Sequence, residues 1–343
     1  MSKSTKQPTI YDISQKAGVS IATVSRVLNG HAKVSEKTKA KVLRIMQELE
    51  YEPNALARGL GTGSMKTIGI LCDNIADIYM ANAVAYLERE LRQNGFDFIL
   101  NGTGSEYENK CHCMKTIESR KVDAVIMVGS QYVEDAPWKN EYIFDAASHV
   151  PVMMVNGYLS GENIYCNLSD DYEAFYDAAN YLIDSGCRRI LFLYREITYS
   201  RNLKFKGYCD ALRDRNIAYD ENLTLRSDEK IQDTRTGLQA YYNLGYRFDA
   251  ILACDDELAV GALKFTQDQG IAVPDQVSII GCNNSVLSIC CYPELTSIDN
   301  KCELLCVNTV SMLMRVLNQE SVAGKVVVSA DLVERDTTRK KIQ

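Results

Sequence analysis

The sequence predicts two folds in one chain: an N-terminal all-α helix-turn-helix domain, made of three helices plus a hinge helix, and a two-lobed α/β domain with doubly wound parallel sheets. Charge supports this division, because residues 1–60 contain ten basic and five acidic residues whereas the remainder contains 28 and 40. Patterning supports it too: short segments at helical spacing end near residue 50, and after residue 66 apolar strands alternate with amphipathic helices. A basic head on an acidic body is typical of a phosphate-binding domain attached to a module that does not touch nucleic acid.

Composition narrows the class of protein. The 343 residues are 46% hydrophobic, and no apolar run approaches the roughly 20 residues that span a bilayer. The polar start of the chain has no apolar segment behind it, so we expect a cytoplasmic protein. The twelve cysteines lie singly or as loose neighbours, without zinc-ligand spacing, and no nucleophile pairs with a histidine motif at His31, His112 or His149. We therefore predict no metal site, no cofactor and no catalytic residue.

The first helix is predicted after Thr9, whose side chain can cap it together with Asp12, three residues further on. Ile13 and Ala17 fall on its buried face. Gly18 can adopt the left-handed conformation that ends a helix. Only the turn of Gly18 and Val19 separates this first helix from Ser20, where the next one starts. Two short helices joined so closely meet at a steep angle, as in a helix-turn-helix motif.

The second helix, residues 20–29, carries the most informative pattern in the chain. Ser20 can cap it, and Val24, Val27 and Leu28 form one apolar stripe. The opposite face has small or hydrogen-bonding side chains and one cation, Arg26, which could read a guanine edge in the DNA major groove. The alternative is an ordinary surface helix, although its outer face would more usually carry lysine and glutamate.

A third helix is predicted from Ser35, with lysines available to phosphates, and a short hinge helix from Pro53. Residues 56 and 60 are leucines at i,i+4 spacing within that hinge. Residues 61–67 resemble part of a nucleotide-binding loop, but no glycine precedes the lysine and a strand follows, so we do not predict a nucleotide site. The predicted domains are 1–52 for the helix-turn-helix, 53–65 for the hinge and linker, and 66–343 for the two lobes.

Strands and helices alternate throughout the third segment. The predicted strands are 68–72, 96–100, 124–128, 152–155, 190–193, 223–225, 250–253 and 277–280. The predicted helices are 81–94, 106–120, 172–185, 204–215, 234–243 and 257–269. This rhythm predicts two successive parallel sheets, with an N-lobe of about 66–163 and 292–322 and a C-lobe of about 164–291 and 323–340. Small ligands bind where strand carboxyl ends meet, so we expect a ligand in the cleft between the lobes.

Several motifs together resemble the LacI/GalR family of bacterial transcription regulators. The most specific is residues 9–30, TIYDISQKAGVSIATVSRVLNG, continued by residues 34–38, VSEKT, and 51–58, YEPNALAR. Further matches are residues 185–190, 255–262, 293–298 and 332–339, so the resemblance covers nearly the whole chain. It implies a sequence-specific DNA-binding regulator, a repressor by expectation, with a periplasmic-binding-protein-like body.

The resemblance also implies which residues contact DNA. Ile21 and Ala22 match the specificity positions at the start of the recognition helix, Arg26 the position that reads guanine, and Leu60 the leucine that wedges into the minor groove at the operator centre. A wedge of this kind is least costly at a pyrimidine–purine step, so the resemblance implies a pseudo-palindromic operator with a central CG step, bound by a homodimer. Matches to backbone-contacting positions are Tyr11, Ser20, Thr23, Ser25, Asn29, Ser35, Thr38 and Asn54.

For the cleft, the resemblance implies a small-molecule effector, most simply a sugar, and a set of binding residues. These are Asp73, Asn74, Tyr79, Asn156, Lys204, Asp255, Asn283 and Asn300, with Arg201 as a substitute cation. Lys204 stands where the family has a sugar-clamping arginine, and lysine lacks the bidentate fork of that side chain. Two of these residues have structural alternatives: Asp255 as a helix cap and Tyr79 as part of the core.

Other functions compete with this interpretation. A two-lobed α/β cleft can belong to an enzyme or to a transport-type binding protein, although the basic head disfavours the latter. The effector could instead be a nucleobase or a partner phosphoprotein, and the regulator could activate rather than repress. The chain ends without the leucine-rich tail of family tetramers, which favours a dimer.

Overall fold

The computed structural model describes residues 8–28, 34–49, 51, 64–227 and 231–340. They form two compact units. The first contains the described residues up to Thr67 together with Lys121–Asp123, and the second contains the rest of the described chain. The predicted hinge helix falls almost wholly within residues 52–63, which lie outside the described residues.

The first unit consists of three helices, α1 (Ile10–Ala17), α2 (Ile21–Leu28) and α3 (Glu36–Glu48). All three were predicted, and the local signals act as expected: the Asp12 carboxylate accepts from the Thr9 backbone N–H at 2.7 Å, and Gly18 ends α1 at φ 61°. The buried side chains form one cluster. Its members are Ile13, Ala17, Val24, Val27, Val42 and Ile45. Such a core is small, so the unit depends on each of its members.

The second unit contains eleven strands that lie wholly within it and one, β1, that begins at Thr67. The strands are β1 (Thr67–Cys72), β2 (Asp97–Gly102), β3 (Ala124–Val128), β4 (Val152–Val155), β5 (Ile164–Ser169), β6 (Ile190–Tyr194), β7 (Thr224–Arg226), β8 (Ala250–Ala253), β9 (Ser278–Cys282), β10 (Thr296–Asp299), β11 (Lys325–Val328) and β12 (Asp331–Val333). Its helices are α4 (Ile78–Gln93), α5 (Tyr107–Ser119), α6 (Glu141–Ala147), α7 (Asp171–Asp184), α8 (Tyr199–Asp214), α9 (Ile231–Asn243), α10 (Asp256–Asp268), α11 (Val286–Cys290) and α12 (Cys302–Leu317). Three short 3₁₀ turns complete the described elements.

These strands form two six-stranded sheets, one in each lobe. The N-lobe order is β11-β5-β4-β3-β1-β2 and the C-lobe order is β12-β10-β9-β8-β6-β7. The neighbouring strands from β11 to β1 in the N-lobe and from β10 to β7 in the C-lobe run parallel, whereas β12 is antiparallel to β10. Helices pack against both sheets and bury the apolar strands, as a doubly wound fold requires. No helix in the described ranges is long and apolar enough to cross a membrane.

The predicted lobe boundaries were wrong at three strands. Strand β5 pairs in parallel with β4 in the N-lobe, and β11 pairs with β5, whereas β10 pairs with β9 in the C-lobe. The chain therefore changes lobe after Ser169, Asp299 and Val328. The prediction followed the strand–helix rhythm, but no helix connects β4 to β5, so their parallel pairing leaves no local mark in the sequence.

Candidate functional site

The exposed face of α2 is the candidate nucleic-acid interface. The Ser20 hydroxyl caps the helix by accepting from the Thr23 backbone N–H at 3.2 Å, while Val24 and Val27 are buried in the core of the first unit. This packing directs Ile21, Ala22 and Arg26 outward, where all three are exposed. The two hydroxyls at the start of the helix, on Ser20 and Thr23, lie 2.9 Å apart.

Arg26 is the cation of this face. It is exposed, and no carboxylate in the described ranges forms an ion pair with it. The first-turn residue Ile21 is also 39% exposed, a high value for a large apolar side chain. An exposed arginine on the same face as the apolar side chains of Ile21 and Ala22 fits a groove that offers guanine acceptors and thymine methyl groups.

The other two helices of the first unit also carry exposed cations. Lys16 and Arg44 pair with the Glu48 carboxylate at 3.1 and 3.5 Å, whereas Lys37 and Lys39 are exposed and form no ion pair in the described part of the chain.

Ser35 has a structural task, because its hydroxyl caps α3 by accepting from the Thr38 backbone N–H at 3.3 Å. Tyr11 is 67% exposed and Ser25 is half-buried. Three residues implied to contact DNA, Asn29, Asn54 and Leu60, lie outside the described residues.

The second site is a cavity of about 180 Å³ between the two lobes of the second unit. It lies where strands β1, β3, β4, β6, β8 and β9 end, which is the expected position in sheets of this kind. We call it the effector cavity. Eight residues implied by the resemblance line it: Asp73, Asn74, Tyr79, Asn156, Arg201, Lys204, Asp255 and Asn283. The other lining residues are Asp77, Met80, Gly129, Ser130, Gln131, Arg195, Glu196, Thr198, Ser200 and Cys254.

Lys204 reaches the wall of the cavity, but its ammonium group is held by the C-lobe. The Nζ atom donates to the Cys254 carbonyl oxygen at 3.1 Å and lies 3.6 Å from the Cys282 sulfur and 4.0 Å from the Asp171 carboxylate. The residue is buried at 7% exposure. A ligand would therefore have to compete with three internal partners for this cation.

Arg201 is placed differently. Its guanidinium carbon lies 4.1 Å from the centre of the Tyr194 ring and 4.6 Å from that of Phe205, so aromatic faces hold it in place. Its Nε atom is buried without a hydrogen-bond partner, and the side chain forms no ion pair in the described ranges. The geometry thus supports Arg201, rather than Lys204, as the cation that remains available to a ligand.

Arg195 is a lining residue that the sequence reasoning missed. It follows β6 and lies 3.0 Å from the Asp255 carboxylate, contacts the Glu257 carboxylate, and lies 3.6 Å from the Asp77 carboxylate. Asp77 belongs to the N-lobe, where its side chain caps α4, so Arg195 bridges the two lobes. Its place directly after a parallel strand was the signal that could have identified it.

The remaining predicted residues divide between ligand-facing and supporting positions. Asp255 caps α10 by accepting from the Leu258 backbone N–H at 2.8 Å, so its structural alternative is correct, and it also lines the cavity. Asn300 does not line the cavity: it is 2% exposed, and its Nδ2 donates to Asn283 Oδ1 at 2.8 Å. Asn300 was predicted to bind the effector directly, and its position supports Asn283 instead.

Two carboxylates that line the cavity, those of Asp73 and Glu196, are not neutralised by an ion pair in the described ranges. Burial raises the pKa of Asp73 above its ordinary value, and the neighbouring carboxylates of Asp77 and Glu196 raise it further. Neither Asp73 nor Glu196 has a cationic partner within the chain as described. The cavity thus combines hydrogen-bond acceptors, amides and one accessible guanidinium, which suits a neutral ligand rich in hydroxyl groups. In the described ranges, no group of three or more histidine, cysteine or acidic residues could hold a metal ion.

Comparisons with known proteins find relatives of both parts of the chain. Residues 9–54 match the family described as bacterial regulatory proteins, lacI family, and residues 179–338 match a periplasmic binding protein-like domain. An HTH-type transcriptional regulator of Lachnoclostridium phytofermentans is 50% identical over 329 residues, covering 96% of this chain and 99% of that protein. Catabolite control protein A of Priestia megaterium is 29% identical over 338 residues, covering 96% and 99%.

A solved structure extends the similarity to the whole fold. The lac repressor dimer bound to operator and the anti-inducer ONPF matches with a TM-score of 0.86 and 25% identity. The match covers 97% of this chain and 99% of that one.

Proposed function

Because the chain belongs to the lacI family of bacterial regulatory proteins, and is thus a DNA-binding transcriptional regulator, we propose that it is a repressor controlled by a sugar-like effector. One observation carries the DNA-binding part of the proposal. The exposed face of α2 presents an arginine without an ion-pair partner in the described ranges, on a helix that is capped and anchored by its buried valines.

The proposed operator is pseudo-palindromic and is bound by a homodimer. Two copies of α2 related by a twofold axis would read half-sites roughly 34–36 Å apart. Arg26 would bond to a guanine, while Ile21 and Ala22 would contact apolar base edges. Leu60, which is outside the described residues, is proposed from the family resemblance as the minor-groove wedge at a central CG step.

The proposed effector is a sugar or sugar derivative bound in the effector cavity. Arg201, Asn283 and Asp73 would bond to its hydroxyl groups, and closure of the lobes on it would alter the spacing of the two hinges in the dimer. The proposal includes neither catalysis nor a cofactor. It places the protein in the cytoplasm, where operator and effector are both present.

The DNA-binding part is tested by selecting operators from random duplexes with the full chain and with Arg26→Ala. We expect the wild type to return a pseudo-palindrome with a central CG step. Arg26→Ala should lose about 1–3 kcal/mol of binding free energy and accept other bases at one position of each half-site.

Lys37→Ala is the matched control, because Lys37 is also exposed and has no ion pair among the described residues, but lies on α3. Its loss should weaken binding to all sequences alike and reduce the salt dependence. An unchanged base preference in Arg26→Ala would contradict the assignment of α2 as the reading helix.

The effector part is tested by thermal shift with neutral sugars, sugar phosphates and purines. A ligand that binds the folded state raises the unfolding temperature, and at about a hundred times its Kd it adds about 2.7 kcal/mol of stability. We expect neutral sugars to give the shift and Arg201→Ala to reduce it. Stabilisation by purines alone would replace the sugar with a nucleobase.

A further inference from the structure

A second cavity of about 700 Å³ adjoins the effector cavity in the second unit. We call it the side groove. Tyr79 and Asn283 line both cavities and form the wall between them. Beyond this wall, α4 contributes Asn82 and Tyr86, and the segment after β9 contributes Asn284. The two spaces are therefore neighbouring compartments that share two side chains.

The charged groups of the side groove are already paired with one another or with residues beside it. Lys301 Nζ lies 2.8 Å from the Asp299 carboxylate and 2.7 Å from the Asp331 carboxylate. The Glu303 carboxylate lies 2.8 Å from the guanidinium of Arg89. Neutralised in this way, the groove has no lysine or arginine in its described lining that remains available to hold a phosphate group.

Amides, hydroxyls and aromatic rings make up the rest of the polar lining. Asn82 is exposed on α4, one turn before the ring of Tyr86. Asn284 lines the groove from the C-lobe, where its Oδ1 already accepts from the Arg335 guanidinium at 2.7 Å. Amides offer both donors and acceptors, and a tyrosine ring packs against apolar C–H faces. An uncharged ligand with hydroxyl groups on one face and C–H groups on the other matches this set.

The shared wall residue Tyr79 has an unused hydrogen-bonding group. Its hydroxyl is buried, and in the described part of the chain no oxygen or nitrogen acceptor bonds to it, although the weakly bonding thiol of Cys302 lies nearby. Burial, with the nearby Cys302 and Cys306 thiols, raises the pKa of Tyr79, so the hydroxyl stays a neutral donor. A ligand that passes the wall would supply the oxygen acceptor that this hydroxyl lacks.

The volumes of the two cavities also favour a ligand that occupies both. Cavities that bury small ligands usually occupy roughly 300–1,000 Å³, and the effector cavity alone, at about 180 Å³, is smaller than this range. We propose that the effector is an uncharged oligosaccharide, with one sugar ring in the effector cavity and at least one more in the side groove beside Tyr79, Asn82 and Asn284. This inference rests on the proposed function, which makes the effector a sugar.

The test is calorimetric titration of the full chain with glucose and galactose, and with maltose, cellobiose and lactose. At least one disaccharide should bind about tenfold or more tightly than either of its monosaccharides, equivalent to about 1.4 kcal/mol. Asn82→Trp would place an indole in the part of the groove beside Tyr86 and should remove this advantage while leaving monosaccharide affinity within about twofold. Gln93→Trp, also exposed on α4 but outside the groove, is the matched control and should bind like the wild type.

The possible results separate this inference from the function on which it rests. Equal affinity for monosaccharides and disaccharides, or an Asn82→Trp variant that keeps the disaccharide preference, overturns the side groove as a subsite but leaves a sugar effector standing. Binding of sugar phosphates in preference to all neutral sugars, or of no sugar at all, overturns the proposed effector class and this inference with it. Operator affinity measured on the same samples tests the proposed DNA-binding function independently of the effector.

Discussion

The exposed face of α2 and the effector cavity both contain cations that the sequence marks as functional, but the protein holds these cations differently. Arg26 on α2 is exposed and has no ion-pair partner in the described chain. In the cavity, Lys204 and Arg195 are already bound by internal acceptors, and Arg201 alone of the three lining cations forms no described ion pair. A charged side chain in a candidate site is therefore informative only once its partners are known.

The largest expected effect separates Lys204 from Arg201. Lys204→Ala would leave the Asp171 carboxylate buried without its cation and should reduce the free energy of unfolding by about 3 kcal/mol, the low end for a broken buried pair because the two groups are 4.0 Å apart. Arg201→Ala should cost much less stability and mainly weaken effector binding. Urea unfolding followed by Trp138 measures this, because the single tryptophan lies in the second unit.

Equal stability of the Lys204→Ala and Arg201→Ala variants would contradict the different roles of these two residues. A Lys204→Ala variant that keeps wild-type stability but no longer binds the effector would also contradict them, since Lys204 would then be the ligand-binding cation. Lys204→Met, which keeps most of the length of the side chain without its charge, separates lost packing from lost charge.

A second, slightly smaller effect concerns Asp256, at the start of α10 and behind the cavity. Burial raises the pKa of Asp256 to about 6, although the Ser297 hydroxyl and the Ser285 backbone N–H both donate to its carboxylate. The folded state then binds a proton that the unfolded state has released between about pH 4 and pH 6, so stability falls as pH rises through this window. The fall should reach roughly 2–3 kcal/mol, since one unit of pKa corresponds to about 1.4 kcal/mol.

Asp256→Asn should remove that part of the pH dependence, because an amide does not titrate. Unfolding midpoints measured from pH 4 to pH 7 for both proteins provide the check. A variant whose pH profile parallels the wild type would show that Asp256 is ionised throughout the folded state. Asp268→Asn, at an exposed carboxylate paired with Arg235 at the end of the same helix, is the matched control.

The smallest expected effect concerns the N-terminal cap of α3 in the first unit. Ser35→Ala removes the cap of α3 and should cost about 1 kcal/mol of local stability. Ser35→Asp can still accept the Thr38 N–H, so it should retain that stability while repelling DNA phosphate. Amide hydrogen exchange within α3 measures the first effect and operator affinity the second. Equal exchange rates in Ser35→Ala and the wild type would contradict the capping role.

The two units also differ in how much of their structure the sequence could predict. All three helices of the first unit follow from local signals, such as the Asp12 contact with Thr9, the left-handed Gly18 and the Ser35 cap. In the second unit the strand–helix rhythm predicts the fold class, but not that β5 and β11 belong to the N-lobe. Sheet membership depends on pairing between distant segments, and no local pattern records it.

The cavity shows the same limit at the level of side chains. Of the nine effector-binding residues that the family resemblance implied, eight line the cavity. The resemblance did not include Arg195, and it did not show which of Lys204 and Arg201 remains available to a ligand. Which cation remains available depends on Asp171, Asp77 and Tyr194, which come from different segments of the chain. Residue type predicts the location of a charge, but only the folded contacts determine whether that charge is already paired.

The most direct test of this account is the operator affinity of the full chain, measured with and without a saturating sugar found in the binding screen. We expect the sugar to change operator affinity by about tenfold or more, which corresponds to a coupling free energy within the range typical of allosteric proteins. We further expect that Arg201→Ala binds operator like the wild type but loses the response at the same sugar concentration. Operator affinity that stays constant while the sugar is bound would contradict the coupling of the two sites.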